Sequence, residues 1–356
     1  MAVEKPGLFG IKHSNRDFTK AKSWGKNQFN TSFPAAFLCY MHSKGMKPIY
    51  LKLDKNFKVA HESIDIEGLF GIDPFSENLF FAFESDFVPF RHMVKSTLPR
   101  TDLVIMNSSS KACLRGFEIK LTALPDNATC ELSEKEYGCE IVTRPDTIIY
   151  LALHIASAYQ HSRDKLLDFL KPICEKIQNW ESEREVLRYL HSLADVIDSI
   201  SISIIEDQKP LVIQPIWKTL GKKLELHPDC YDVFVWSDIA FARLFIDKTK
   251  QAKNEEGIDR PMRSTVWLAK MLYDFAISGQ IDFEETIDRL TYKTKNDKAF
   301  AVNGRITNPY LLCDELLKPR IKREETKNII LGGGHKFLSP ERRLDAAILS
   351  TPGLFE

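Results

Sequence analysis

The sequence lacks the features that mark membrane, secreted and zinc proteins. No stretch approaches the roughly 18 consecutive apolar residues of a membrane span, and the opening MAVEKPGLFGIKHSN lacks the apolar centre of a signal peptide. The seven cysteines are scattered and form no Cys-x-x-Cys pair, so a zinc ribbon or a redox couple is not expected. These absences predict a cytoplasmic protein with reduced thiols and no membrane partner.

The histidines and the repeat content exclude two further classes of protein. None of the nine histidines lies in a His-Glu-x-x-His motif, so a zinc hydrolase has no support. The chain also has no internal repeats and no low-complexity tracts. What it does have is 356 residues of which 44% are apolar and 11% aromatic, enough to bury one large core or two smaller ones.

The net charge is zero, but the charges are segregated along the chain. Residues 1–60 hold eleven Lys or Arg and three acids, whereas residues 61–90 hold seven acids and no Lys or Arg. One interpretation is a basic surface that meets phosphates beside an acidic surface that holds a divalent cation. The alternative is that both segments are solvated faces with no ligand.

Strand and helix patterns alternate along the chain. Strand patterns lie at 48–53, 99–121 (a hairpin), 139–143, 210–217 and 231–236. Apolar residues recur at helical spacing over 147–204, in the segment that follows the helix cap at Ser237, and over 264–278, 283–293 and 309–318. Residues 248–263 are expected to form a polar linker. This order predicts an α/β core over residues 1–250 with inserted helices and a C-terminal helical subdomain over residues 260–356.

The hairpin PRTDLVIMNSSSKACLRGFEIKL, residues 99–121, carries charges inside its apolar strands. Side chains alternate between the two faces of a strand, so Glu118 and Lys120 point one way while Phe117, Ile119 and Leu121 point the other. One face of the second strand is therefore expected to be polar.

Asp102 opens the first strand of the hairpin, and the intervening turn can bring its carboxylate beside that of Glu118. Two close carboxylates repel each other unless a cation lies between them, and such oxygen ligands suit Mg²⁺. Lys120 would then lie beside the metal-bound water, an arrangement that suits hydrolysis of a nucleic-acid phosphodiester. The alternative is the exposed face of an edge hairpin with a surface ion pair.

Together, Pro99, Asp102, Glu118 and Lys120 resemble the PD-(D/E)xK nuclease signature, with two extra residues between the proline and the aspartate. The stretches PGLFGIKHSNRDF and WGKNQFNTSFPAAFLCYM are similar to the HindVP family of type II restriction endonucleases. The resemblance implies a restriction-endonuclease-like α/β core, a mixed central sheet flanked by helices. It also implies that Asp102 and Glu118 bind Mg²⁺ and that Lys120 positions the attacking water.

The same resemblance implies double-strand cleavage of DNA at a short palindrome of the GRCGYC type, and a cognate DNA methyltransferase as functional partner. A homodimer is expected because its two-fold symmetry matches that of a palindrome. Two alternatives stay open: a repair or mobile-element nuclease of the same fold, and a non-catalytic DNA-binding protein in which the hairpin charges are structural.

Two acids upstream of the hairpin are weaker candidates. Glu84 and Asp86, in FAFESDFVPF, could supply an extra metal-binding acid, with Glu84 the candidate ligand. They are more readily explained as polar positions of an amphipathic segment.

The basic opening segment contains a second set of candidates. The segment combines a lysine, whose charge can bind phosphate, with Asn and Gln side chains, whose amides can form hydrogen bonds with base edges. The predicted DNA-binding residues are Lys26, Asn27, Gln28 and Asn30. A solvated, capped loop is the alternative interpretation.

Overall fold

Strands and helices alternate through the computed structural model, which describes residues 13–16, 26–120, 141–219, 226–253, 257–294, 298–302 and 320–326. The strands are β1 (Ile49–Leu53), β2 (Val59–Ser63), β3 (Leu79–Ser85), β4 (Thr101–Asn107), β5 (Cys113–Ile119), β6 (Ile141–Thr143), β7 (Pro210–Thr219), β8 (Leu226–Ser237), β9 (Phe300–Val302) and β10 (Ile321–Lys322). The helices are α1 (Lys26–Ser43), α2 (Ile66–Phe70), α3 (Pro145–Ala158), α4 (Arg163–Cys174), α5 (Glu183–Leu187), α6 (Leu190–Ser203), α7 (Asp238–Gln251), α8 (Arg260–Ser278) and α9 (Phe283–Arg289), with 3₁₀ turns at Val88–Met93 and Ile205–Asp207.

A mixed central sheet organises these elements. Its strand order is β2-β1-β8-β7-β5-β4-β3, and β10 pairs with β8. Strands β3, β4 and β5 form an antiparallel meander, and β7 then lies parallel to β5. Because parallel neighbours need a crossover connection, the chain passes through α3 to α6 between β5 and β7. The hairpin predicted at 99–121 is confirmed as β4 and β5.

Both faces of the sheet are covered, and the side chains of each strand alternate between two hydrophobic clusters. Val104 and Val212 belong to the cluster that includes α3, α7 and α8, whereas Ile105 and Ile213 belong to the cluster that includes α1 and α2. Such two-sided burial is typical of sheets in α/β proteins. The predicted α/β class, a mixed central sheet flanked by helices, is confirmed.

Three local expectations differ from the structure. The strand expected at 139–143 is β6, which pairs antiparallel with β9 outside the central sheet and does not join the hairpin. The helical run expected at 147–204 is divided into α3, α4, α5 and α6. The linker expected at 248–263 is shorter, because α7 continues to Gln251 and α8 begins at Arg260. Periodicity identified these segments, but it carries no information on non-local strand pairing.

The part of the chain beyond residue 260 contributes to the main core where it is described. Helix α8 packs against α3, α4 and α7 within one hydrophobic cluster. The helix expected at 309–318 lies outside the described residues, so the division into a 1–250 core and a 260–356 subdomain stays a prediction. Among the described residues, no helix combines the length and apolar character needed to cross a membrane.

Candidate active site

The register of the β4–β5 hairpin brings two carboxylates together. Leu103 pairs with Phe117, and the next position along the same register sets Asp102 against Glu118. Both residues lie on the face of the sheet that α3 covers, because the neighbouring Phe117 and Ile119 belong to the opposite cluster. The predicted alternation of the second strand is confirmed for residues 117 to 119.

At the start of β4, side chains rather than backbone groups form the hydrogen bonds to β5. The Thr101 hydroxyl donates to the carbonyl of Phe117 at 2.7 Å. The backbone N–H of Ile119 donates to Oδ2 of Asp102 at 2.7 Å. These bonds fix the start of β4 against β5 and hold the Asp102 carboxylate in a defined position.

Lys120 lies between the two carboxylates. Its Nζ is 2.6 Å from Oε2 of Glu118 and 3.9 Å from Oδ2 of Asp102. Its backbone N–H donates to the carbonyl of Ile213 in β7 at 2.9 Å, so the residue is anchored to the next strand of the sheet. The three predicted catalytic residues therefore form one cluster.

This cluster is largely shielded from solvent. The side chain of Glu118 is 6% exposed, that of Lys120 13% and that of Asp102 28%. Strand β4 lies between β3 and β5, and β5 lies between β4 and β7, so neither strand is an edge. The alternative of a solvated edge hairpin with a surface ion pair is therefore wrong.

Burial and charge change the protonation of the cluster. Burial, and then the Glu118 carboxylate, raise the pKa of Asp102 from 3.8 to about 6. Burial alone would lower the pKa of Lys120, but the charges of Glu118 and Asp102 outweigh it and raise that pKa. The ammonium is thus held charged between two carboxylates that it cannot both neutralise.

Helix α3 contacts strand β5 and the segment that leads into β4 from the covering face. The Tyr150 hydroxyl donates to the carbonyl of Pro99 at 2.7 Å, and the Thr147 hydroxyl donates to Oε2 of Glu118 at 3.3 Å. Desolvation and the nearby Glu118 charge raise the pKa of Asp146 in the same first turn. Sequence reasoning missed this turn, whose only signal is a polar Asp-Thr pair directly after Pro145.

Glu84 lies beside Asp102 in the register of the sheet. Phe83 pairs with Leu103 and Ser85 with Thr101, so Glu84 occupies the register position next to Asp102. Its backbone has a φ of 48°, a left-handed conformation that is strained for a residue with a side chain.

The two upstream acids both have cationic partners. The Glu84 carboxylate is 3.3 Å from Nη2 of Arg16, and Asp86 forms an ion pair with Arg91. The described residues contain no group of three or more His, Cys, Asp and Glu side chains arranged to hold a metal ion. The oxygen ligands that the hairpin itself offers are those of Asp102 and Glu118.

The predicted DNA-binding residues occupy the start of helix α1. This placement corrects the alternative of a solvated loop, because the segment that begins at Lys26 is helical. The side chains of Lys26, Asn27, Gln28 and Asn30 lie outside the described part of the structure. Their role in binding DNA stays a prediction.

Comparisons with known proteins agree with the resemblance seen in the sequence. The family model described as HindVP restriction endonuclease matches residues 24–355. The type II restriction enzyme HgiDI of Herpetosiphon aurantiacus is 48% identical over 354 residues, which are 99% of this chain and 98% of that protein. The probable type II restriction enzyme HindVP of Haemophilus influenzae is 39% identical over 351 residues, covering 99% and 95%. No solved structure matches the chain. The chain belongs to the HindVP restriction endonuclease family.

Proposed function

We propose that the chain, by family a type II restriction endonuclease, hydrolyses DNA phosphodiester bonds at the cluster of Asp102, Glu118 and Lys120. The observation that carries this proposal is the pairing of two shielded carboxylates on neighbouring strands with a single lysine between them. Two carboxylates and one ammonium leave an excess negative charge, and burying that charge costs stability, so a structural role does not explain the cluster. The arrangement supports the assignment of these residues as a PD-(D/E)xK nuclease site.

Mg²⁺ is the cofactor that suits these ligands. Hard divalent cations bind carboxylate oxygens, and Asp102 and Glu118 each keep one oxygen outside the hydrogen bonds of the described residues. A cation at this position would offset the repulsion that raises the pKa of Asp102. When bound, Mg²⁺ supplies Lewis-acid polarisation of the scissile phosphate and a more acidic water.

Lys120 has a separate role in the proposal. Its ammonium donates to Glu118, and the two remaining protons are available to a water or a phosphate oxygen. The raised pKa keeps it protonated at neutral pH, so it orients the attacking water and stabilises the charged oxygens around the five-coordinate phosphorus rather than acting as a base. Its role is therefore electrostatic.

Glu84 is proposed as the additional acid next to Asp102. Its position in the register suits this role, and its strained backbone is the kind of feature that accumulates at functional sites. The carboxylate is engaged by Arg16, so it would join the metal only when that ion pair opens.

The DNA partner and the assembly follow from the proposed activity. We propose a homodimer that cuts both strands of a short palindrome of the GRCGYC type, with the start of α1 contacting phosphates and bases. A cognate methyltransferase that protects the same sequence is the expected functional partner. Sedimentation on a cognate duplex tests the assembly, and one chain per duplex with concerted double-strand cleavage would contradict it.

Digestion of a plasmid of known sequence tests the function directly. With Mg²⁺ we expect discrete fragments whose mapped ends fall at one palindromic sequence, and with EDTA we expect intact plasmid. Ends that follow DNA structure rather than sequence would indicate a repair or mobile-element nuclease. Intact plasmid under both conditions would contradict a catalytic role for the cluster.

A further inference from the structure

The Thr147 hydroxyl is a buried group that has no role in the proposed cleavage mechanism. Thr147 is fully buried in the first turn of α3. Its backbone N–H donates to the carbonyl of Arg144 at 3.1 Å. The hydroxyl instead donates to Oε2 of Glu118 at 3.3 Å. Its one described side-chain hydrogen bond therefore leads into the active site.

One oxygen of each carboxylate is held by the protein. Oε2 of Glu118 accepts from Nζ of Lys120 at 2.6 Å and from the Thr147 hydroxyl. Oδ2 of Asp102 accepts from the backbone N–H of Ile119 at 2.7 Å. Within the described part of the chain, no hydrogen bond reaches Oε1 of Glu118 or Oδ1 of Asp102. Each carboxylate thus has one anchored oxygen and one oxygen left for another ligand.

The two donors to Glu118 act differently. Lys120 is attached to a flexible stem, and Nζ must also serve the Asp102 carboxylate and the substrate. Thr147 is β-branched, fully buried and part of a packed helix, so its hydroxyl has few alternative positions. A rigid donor such as Thr147 keeps the Glu118 carboxylate from rotating when the mobile Lys120 ammonium changes its hydrogen-bond partner.

We propose that Thr147 is a positioning residue that fixes the Glu118 carboxylate so that Oε1 is the oxygen presented to the divalent cation. This inference rests on the proposed function, because it assumes that Glu118 is a metal ligand. Residues that orient metal ligands through hydrogen bonds commonly contribute about 10- to 100-fold in metal affinity or activity. Since 3.3 Å is long for a hydroxyl donor, we expect the lower end of that range.

The experiment compares the affinity for Mn²⁺ of five full-length proteins, the parent and four variants, measured by the loss of the free-ion signal in electron paramagnetic resonance. Thr147→Val keeps the branched shape and removes the hydroxyl, so Mn²⁺ should bind about tenfold more weakly. Thr147→Ser restores the hydroxyl and should bind within about threefold of the parent. Thermal unfolding of each variant checks that the fold is retained.

Thr143 offers a matched control in the neighbouring strand β6. It is also fully buried, but its hydroxyl has no hydrogen-bond partner in the described part of the chain. Thr143→Val removes the same group from a comparable environment without touching Glu118. We expect its Mn²⁺ affinity to match that of the parent.

The outcomes separate this inference from the proposed function. Asp102→Asn should abolish Mn²⁺ binding, and a parent that binds no Mn²⁺, or an Asp102→Asn variant that binds it normally, would overturn both proposals. If Asp102→Asn fails to bind and Thr147→Val binds like the parent, only the positioning role is overturned. Equal losses in Thr147→Val and Thr143→Val would also overturn it, because they would indicate a general packing effect.

Discussion

Asp102 and Asp232 are both shielded carboxylates on strands of the same sheet, but their surroundings differ. Asp232, fully buried in β8, has both oxygens engaged by Arg320, with Nε to Oδ2 at 2.5 Å and Nη2 to Oδ1 at 2.9 Å. Asp102 has one oxygen engaged by a backbone N–H, and the charged groups that act on it most strongly are a second carboxylate, Glu118, and Lys120, which the two carboxylates share.

The difference indicates that the Asp232 carboxylate stabilises the fold, whereas the Asp102 carboxylate is placed to bind a ligand. Burial raises the pKa of both groups, but the Arg320 guanidinium opposes the rise at Asp232, whereas Glu118 adds to it at Asp102. A bidentate guanidinium matches the geometry of one carboxylate and compensates its charge. Two carboxylates that share one ammonium keep an excess of negative charge, which costs stability and is retained where function requires it.

The largest expected effect is on cleavage by Asp102→Asn. This change keeps size and shape but removes the charge that a metal needs, so the variant should fold, bind the cognate duplex and lose about 10²-fold or more in rate. Single-turnover cleavage under saturating Mg²⁺ measures the loss. A rate within about threefold of the parent, the size of effect expected of a surface ion pair, would remove the distinction between the two aspartates.

Lys120→Ala should lower the cleavage rate by a comparable factor, about 10²-fold, through a different cause. The variant lacks the ammonium that orients the attacking water, but Asp102 and Glu118 remain to bind the cation. We therefore expect Mn²⁺ binding to survive while cleavage is lost. Loss of Mn²⁺ binding together with cleavage would show that the lysine is needed to assemble the carboxylates.

Asp232→Asn should affect stability and leave the chemistry unchanged. The variant loses the charge that compensates Arg320, and because the Arg320 side chain is 38% exposed we expect a loss of about 2 kcal/mol in the free energy of unfolding. Denaturant unfolding measures this change. The control is Asp229→Asn on an exposed position of the same strand, expected within about 0.5 kcal/mol of the parent. A cleavage rate that falls with Asp232→Asn in the folded protein would contradict a purely structural role.

A smaller and opposite effect on stability is expected for Asp102→Asn in EDTA. The pKa of Asp102 is higher in the folded protein than the ordinary 3.8, so the folded state binds the proton more tightly and stability falls as pH rises from about 4 through about 6. Asn lacks this penalty. The variant should therefore be about 1–2 kcal/mol more stable than the parent at pH 8, after allowance for partial exposure, with the difference vanishing near pH 4. A destabilised variant at pH 8 would contradict the repulsion.

The smallest expected effect concerns Lys26, one of the predicted DNA-binding residues at the start of α1. If Lys26 contacts phosphate, Lys26→Ala should weaken binding to all duplexes alike and lower the slope of log affinity against log salt by about one unit. Asn27→Ala or Gln28→Ala should instead relax discrimination between sites. Unchanged affinity and salt slope in all three variants would leave the start of α1 a structural element.

Local patterns in the sequence predicted the hairpin and its charged face, because strand alternation and register are short-range properties. Asp102 and Glu118 lie on strands joined by a short turn, so their pairing could be inferred. The partner of β6 could not be inferred, because that partner, β9, lies far along the chain. Strand β3 was missed because LFFAFES lacks regular alternation, and it is defined by its non-local pairing with β4.

The helix side of the site could not be predicted for a related reason. Nothing local connects Thr147 to Glu118, because their contact depends on how α3 packs across the sheet. The ion pair between Arg16 and Glu84 depends on Ser14 and Asn15 pairing with β3, a contact without a sequence signature. Chemistry that lies on one hairpin is visible in a sequence, whereas chemistry assembled from separate elements needs coordinates.

The parallel pairing of β5 with β7 has a consequence for synthesis of the protein. The ribosome releases β5 well before β7, with the whole of α3 to α6 made between them, and non-local pairings of this kind form late in folding. A nascent chain that ends before Ile213 lacks the carbonyl that anchors the backbone of Lys120. Translation products that end between Lys120 and Ile213 therefore carry Asp102, Glu118 and Lys120 but lack the strand that holds Lys120 in place.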